Sequence, residues 1–170
     1  MRPLWWSFPG RLGRTKWVRR DDESLSSKTF LGATVITISG DSSFRLRAAD
    51  FGWITTVRRD GQPQSSYVWF HFDGDTIFVI SQPRAGKIKN IVSNSLVSFH
   101  LDGDGTLGNG VLTMECRAQL APVSDTPERL TAYLSKYESR IRDALQSTPS
   151  RYADEFSEGV ILTPLAIRAW

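Results

Sequence analysis

Sulfur and histidine are scarce in this 170-residue chain, which holds one cysteine, two methionines and two histidines. The lone Cys116 lies in an apolar run, so neither a disulfide framework nor a cysteine metal cluster can be built within one chain. A reducing, cytoplasmic setting is expected. His71 and His100 fall in strand-like segments with no third ligand at suitable spacing, so packing or interface roles are expected and no metal site. No apolar run approaches the ~20 residues of a membrane-spanning helix, and the first residues lack a signal peptide's apolar stretch and small-residue cleavage site. A soluble protein is expected. The Gly-Xaa-Ser-Xaa-Gly elbow, the Walker loop and the Gly-Xaa-Gly-Xaa-Xaa-Gly fingerprint are all missing, which argues against hydrolase, nucleotide-triphosphatase and Rossmann functions. Asp102-Gly103-Asp104-Gly105 opens like a calcium loop, but the twelfth position counted from Asp102 is Thr113 instead of the required glutamate, so a turn is expected.

What is present is a chain 40% hydrophobic and 11% aromatic, enough for one domain with a substantial core. The net charge of +3 is unevenly spread: Met1 to Arg47 carries nine of the 21 Lys/Arg against four of the 18 Asp/Glu. Residues 1–48 therefore read as a basic extension of uncertain order, holding Trp5, Trp6 and Trp17. Basic residues among aromatics also suit a peripheral membrane contact, although a loosely ordered extension is the simpler reading. The remainder has no basic excess, so nucleic acid is not an expected partner.

Residues 49–170 read as mainly β with flanking α. Phe51 to Val57 is rich in β-branched and aromatic residues, and Asp60-Gly61 turns it into a second strand, Gln64 to Phe72. Tyr67, Trp69 and His71 alternate with Val68, Phe70 and Phe72, so both faces of that strand are bulky and both need cover. Thr76 to Ser81, Leu96 to Leu101, Val111 to Ala121 and Val160 to Trp170 are further strands, the last with Pro164 marking an edge or bulge. An antiparallel sheet of this size avoids exposed edges most simply by closing into a barrel. Helices are expected over Lys87 to Ser93, over Pro127 to Leu145 with Thr126 as N-cap, and from Thr148-Pro149 to Phe156. Leu130, Tyr133, Leu134, Tyr137 and Ile141 give the long helix one apolar face. Before Phe51 no amphipathic helix is evident.

The residues with most chemical promise surround the short basic helix. Lys87 and Lys89 stand near a helix N-terminus, where unpaired N–H groups and the helix dipole favour an anion such as phosphate. On those residues alone, a solvated pair of lysines is the simpler reading. Ser81 and Asn90 are compatible with hydrogen bonds to the same ligand.

An ordered series then emerges: Asp60-Gly61-Gln62-Pro63-Gln64, Tyr67-Val68-Trp69-Phe70, Ser81-Gln82-Pro83, Lys87-Ile88-Lys89-Asn90-Ile91 and His100 to Gly105. From about Trp53 to Trp170 this series resembles the pyridoxamine 5'-phosphate oxidase-like split β-barrel family. More narrowly, it is similar to the actinobacterial branch of deazaflavin (coenzyme F420)-dependent reductases.

The resemblance implies an FMN-binding split barrel, an antiparallel Greek-key barrel with short helices, assembled as a homodimer whose two cofactor sites are lined by both chains. Lys87 and Lys89 match the positions that bind the cofactor phosphate. Ser65, Ser66 and Tyr67 would lie beside the ring, and Ile80, Ser81 and Gln82 would approach it largely through backbone. Arg58 and Arg59 could meet an acidic polyglutamate tail, or be ordinary surface charges. The implied activity is hydride transfer from reduced F420 to an unsaturated or quinone-like small molecule. The catalytic side chains stay unassigned, with Tyr67 or solvent as proton donor. An FMN-dependent oxidoreductase is the first alternative, and a non-enzymatic flavin- or haem-binding protein the second. Vitamin B6 oxidation is not expected, because the chain ends Ala166-Ile167-Arg168-Ala169-Trp170 instead of in an arginine-rich stretch.

Overall fold

A computed structural model describes residues 25–30, 33–38, 40–103 and 110–169. A two-stranded hairpin, β1 (Leu25–Phe30) and β2 (Ala33–Ile38), precedes helix α1 (Gly40–Ala48). The main body follows as β3 (Phe51–Val57), β4 (Pro63–Trp69), β5 (His71–Phe72), β6 (Ile77–Ser81), α2 (Gly86–Ser93), β7 (Leu96–Leu101), β8 (Leu112–Pro122), α3 (Pro127–Asp143), α4 (Pro149–Glu155) and β9 (Glu158–Ala169). Trp5, Trp6 and Trp17 lie outside the described residues, as does the acidic loop beyond Gly103.

Seven strands form one antiparallel sheet in the order β4-β3-β7-β8-β9-β6-β5. Its two edge strands, β4 and β5, are consecutive in the chain and separated only by Phe70. In a flat sheet six strand spacings would put those edges roughly 29 Å apart. The sheet must therefore curl until they meet, which makes the barrel expected from the sequence. The single strand expected over Gln64 to Phe72 is thus two strands. At the break, the Phe70 amide donates to the Tyr137 hydroxyl at 2.9 Å, and the Phe70 carbonyl lies 2.6 Å from the same oxygen. A side chain from α3 replaces the strand partner, so the chain can turn at Phe70 without stranding a buried backbone group.

The barrel interior is apolar. Ile54, Phe70, Ile77, Val79, Phe99, Leu112, Met114, Val160 and Leu162 are fully buried, and Ile88 and Ile91 of α2 pack into the same core. Cys116 belongs to it as well, and burial pushes its thiol up to about 12, leaving an unreactive packing residue. A second cluster, Phe78, Ile80, Tyr133, Tyr137, Ile141 and Tyr152, joins the outer face of β6 to α3 and α4. Pro164 sits on β9 beyond the last residue paired to β6 and beside an irregularity between Glu115 and Cys116, a place where a residue without an N–H is tolerated.

One expectation needs correction and two are refined. Before Phe51 there is a helix: α1 buries Leu46 completely in the core. It was invisible because Leu46 is its only buried residue while Phe44 is 71% exposed, so no apolar stripe recurs. Thr126 starts α3 without capping it, since its hydroxyl donates back to the Val123 carbonyl at 3.3 Å. Thr148, by contrast, does cap α4, accepting from the Arg151 amide at 3.3 Å. Finally, cover over the strand of alternating bulky residues is uneven: Trp69 stacks on Tyr137 and Tyr152, but Tyr67 is half exposed within this chain.

Candidate cofactor site

The β3–β4 hairpin and α2 bring the sequence-selected residues together in two groups. On the outer face of the sheet, register pairs Trp53 with Tyr67, Thr55 with Ser65, and Trp53 with His100 of β7. The rings of Phe51 and Tyr67 stack at 5.2 Å, Trp53 and Tyr67 lie 4.9 Å apart, and Trp53 stacks on His100 at 6.3 Å. The Thr55 and Ser65 hydroxyls hydrogen-bond at 2.8 Å. Asp102 joins this face by accepting from Trp53 Nε1 at 2.9 Å and from the Tyr67 hydroxyl at 3.5 Å. Partial burial and the Asp102 carboxylate raise the Tyr67 phenol above its ordinary value, so it stays protonated and directs its proton at Asp102.

On the opposite side of β4 stand Gln64 and Ser66, together with α2. Ala85 at the start of α2 supplies no side-chain cap, so the first backbone N–H groups of the helix are open to a ligand. Lys87 follows at once. It is half-buried, has no hydrogen-bond or ion-pair partner among the described residues, and burial lowers its ammonium below the ordinary lysine value. A half-buried cation without a counterion is costly unless an anion joins it. Lys89 is exposed. Gly86 lies against the Gln64 carboxamide, where a Cβ would stand 3.4 Å from Oε1.

Asn90 does not face solvent. It is 8% exposed, and its Nδ2 donates to Thr56 Oγ1 at 2.9 Å and to Gln64 Oε1 at 3.0 Å. Ser81 is buried at the end of β6, its hydroxyl donating to the Gln82 carbonyl at 3.3 Å, and Ile80 is buried beside α3. The Gln82 side chain is tied to Glu155 of α4 at 2.8 Å, leaving its backbone for other contacts. Arg58 pairs with Asp60 at 2.9 Å, and Arg58 and Arg59 line a cavity of about 430 Å³ with Val92, Ser93 and Asn94, toward the far end of α2.

Residues on both faces of one strand can touch the same ligand only along that strand's free edge. β4 has such an edge, because among the described residues it pairs with β3 alone. Ser65 and Tyr67 lie on one side of that edge, Gln64 and Ser66 on the other, and the Gln64 carboxamide lies against Gly86, next to Lys87 at the head of α2. Four contributors were missed by sequence reading: Trp53, Asp102, Thr56 and Gln64. The only prior signal for them was the hairpin register, which places Trp53 opposite Tyr67 once the turn at Asp60-Gly61 is accepted.

Comparison with known proteins bears on the family and the fold. The family model described as pyridoxamine 5'-phosphate oxidase matches residues 43–170. The chain belongs to that family. A conserved hypothetical protein, Rv2991, from Mycobacterium tuberculosis superposes with a TM-score of 0.63 at 18% identity, over 79% of this chain and 86% of that one. An F420 reductase superposes with a TM-score of 0.58 at 24% identity, over 76% and 98%. HutZ, the haem storage protein of Vibrio cholerae, gives 0.55 at 18% identity, over 72% and 87%. These likenesses establish the split-barrel fold across proteins with different ligands. Among the described residues, no three metal-ligating side chains converge, and no helix is long and apolar enough to cross a membrane.

Proposed function

We propose that this protein is a deazaflavin-dependent reductase, with coenzyme F420 held along the β4 edge of a homodimer. The observation that carries the reading is the half-buried Lys87, unpartnered among the described residues, beside the uncapped start of α2. Lys87, helped by Lys89 at the exposed side, would hold the cofactor phosphate. The free edge of β4 would hold the ring, with Ser65, Ser66 and Tyr67 around it and the Gln82 backbone approaching from the turn before α2. The uncovered face bearing Tyr67, Trp53 and His100 is where a second copy would complete each site.

When bound, the deazaflavin supplies the hydride. This chain's residues orient the ring, exclude water and position the acceptor, an unsaturated or quinone-like small molecule. Tyr67 donates to Asp102, so solvent is favoured over Tyr67 as proton source.

FMN would use the same phosphate groups and is the alternative cofactor. Non-enzymatic haem binding is favoured only by the partial exposure of His100 on the open face. Mixing the purified protein anaerobically with reduced F420 and a panel of quinones and enones tests the activity. Protein-dependent reoxidation at the deazaflavin absorbance band supports it, whereas bound cofactor that passes hydride to no acceptor points to a binding protein.

A further inference from the structure

We infer that Gln64 is an anion-binding residue of this site, and that Asn90 is the positioning residue that sets the polarity of its amide. The inference rests on the cofactor reading above and adds a donor that the sequence did not single out. The Thr56 hydroxyl is fully buried and has one proton, which it gives to the Gln64 backbone carbonyl at 3.4 Å. Its oxygen accepts from Asn90, whose Nδ2 stands 2.9 Å away. That orients the Asn90 amide, and the second Nδ2 proton falls on the Gln64 side chain at 3.0 Å. The atom of Gln64 facing Asn90 is therefore its acceptor, Oε1, and rotating the carboxamide by half a turn would set two N–H₂ groups against each other.

The consequence is that Gln64 Nε2, with two donor protons and no partner among the described residues, is the end of the amide left for a ligand. The carboxamide lies against Gly86, where a Cβ would approach Nε2 to 3.8 Å, and Lys87 is the next residue. Lys87 is itself a half-buried cation without a counterion among the described residues. A phosphate oxygen accepting from Nε2 while ion-paired to Lys87 would satisfy both groups, and charge-assisted bonds of this kind are the stronger ones. The buried Asn90–Thr56 pair holds the amide in place beforehand, so little ordering cost remains when the ligand arrives.

Gln64→Glu is the informative variant, because it keeps an oxygen facing Asn90 and replaces only the donor with an anionic acceptor. The full-length wild type, Gln64→Glu, Gln64→Ala, Asn90→Ala and the Gln64/Asn90 double variant are titrated with F420, FMN and the phosphate-free form of each, and melting temperatures are recorded. Phosphorylated ligands should bind Gln64→Glu roughly tenfold or more weakly than wild type, with phosphate-free ligands within about twofold. The Asn90→Ala and Gln64→Ala losses should be non-additive. Unchanged binding of the phosphorylated ligand, an equal loss of both forms, or additive losses would overturn the assignment while leaving the cofactor reading intact. A wild type that binds none of the ligands overturns both.

Discussion

The hydroxyl of Tyr137 sits against the backbone of Phe70, accepting its amide proton at 2.9 Å and lying 2.6 Å from its carbonyl oxygen, at the one residue that separates the two edges of the barrel. Lys136, its neighbour on α3, reaches the same Phe70 carbonyl at 3.1 Å and the Ala49 carbonyl at 2.5 Å. The β4–β5 corner is thus held by two α3 side chains. Tyr137→Phe keeps the ring and leaves the fully buried Phe70 with an unanswered N–H, so destabilisation of about 1–3 kcal/mol is expected, readable by denaturant titration as a lower midpoint at unchanged slope.

Gly52 is a second point of intolerance. Phe99 lies across it so closely that a Cβ would meet the ring Cζ at 2.3 Å, and Phe99 is fully buried against Phe70. The ring has no space to retreat into, so Gly52→Ala should cost more than the ~1–3 kcal/mol of ordinary overpacking. A melting temperature within about 1 °C of wild type would contradict this packing.

Asp73 provides a pH signature. Burial alone would raise its carboxyl, but the amides of Thr76 and Asp75, the Thr76 hydroxyl and Arg129 together hold it below the ordinary value of 3.8. A lowered folded-state value means the stabilisation is complete above the unfolded value and is lost as pH falls through the folded one. The stability gap between wild type and Asp73→Asn should therefore be present at neutral pH and shrink below pH ~3.8. A gap that is constant from neutral pH down to pH ~2 would refute the assignment.

Much of this architecture is legible from local pattern. Strand alternation, the Asp60-Gly61 turn and proline at the first helical positions of α3 and α4 identify those elements within a few residues. What the chain hides are features made by distant partners. The break at Phe70 involves a tyrosine 67 positions away, and α1 is anchored by a single residue, Leu46, buried in the barrel core. Within the site, Lys87 stands out from its helix context, whereas Gln64 and Asp102 acquire meaning only through Asn90, Trp53 and Tyr67, which lie on other elements.

Lys87 should act through its charge. Lys87→Ala is expected to weaken phosphorylated-cofactor binding by roughly tenfold or more, with Lys87→Arg losing less. Because burial lowers its ammonium below 10.5, wild-type affinity should fall as pH rises through a value below that of ordinary lysine, and this decline should vanish in Lys87→Ala. A pH decline of equal size in both proteins would remove Lys87 from the phosphate site.

The central claim is tested most directly by fluorescence titration of the purified protein with coenzyme F420 and, separately, with FMN at identical salt. Clearly tighter binding of the deazaflavin is the expected result. Preference for FMN would contradict the cofactor assignment while retaining the site, and binding of neither would contradict the site itself.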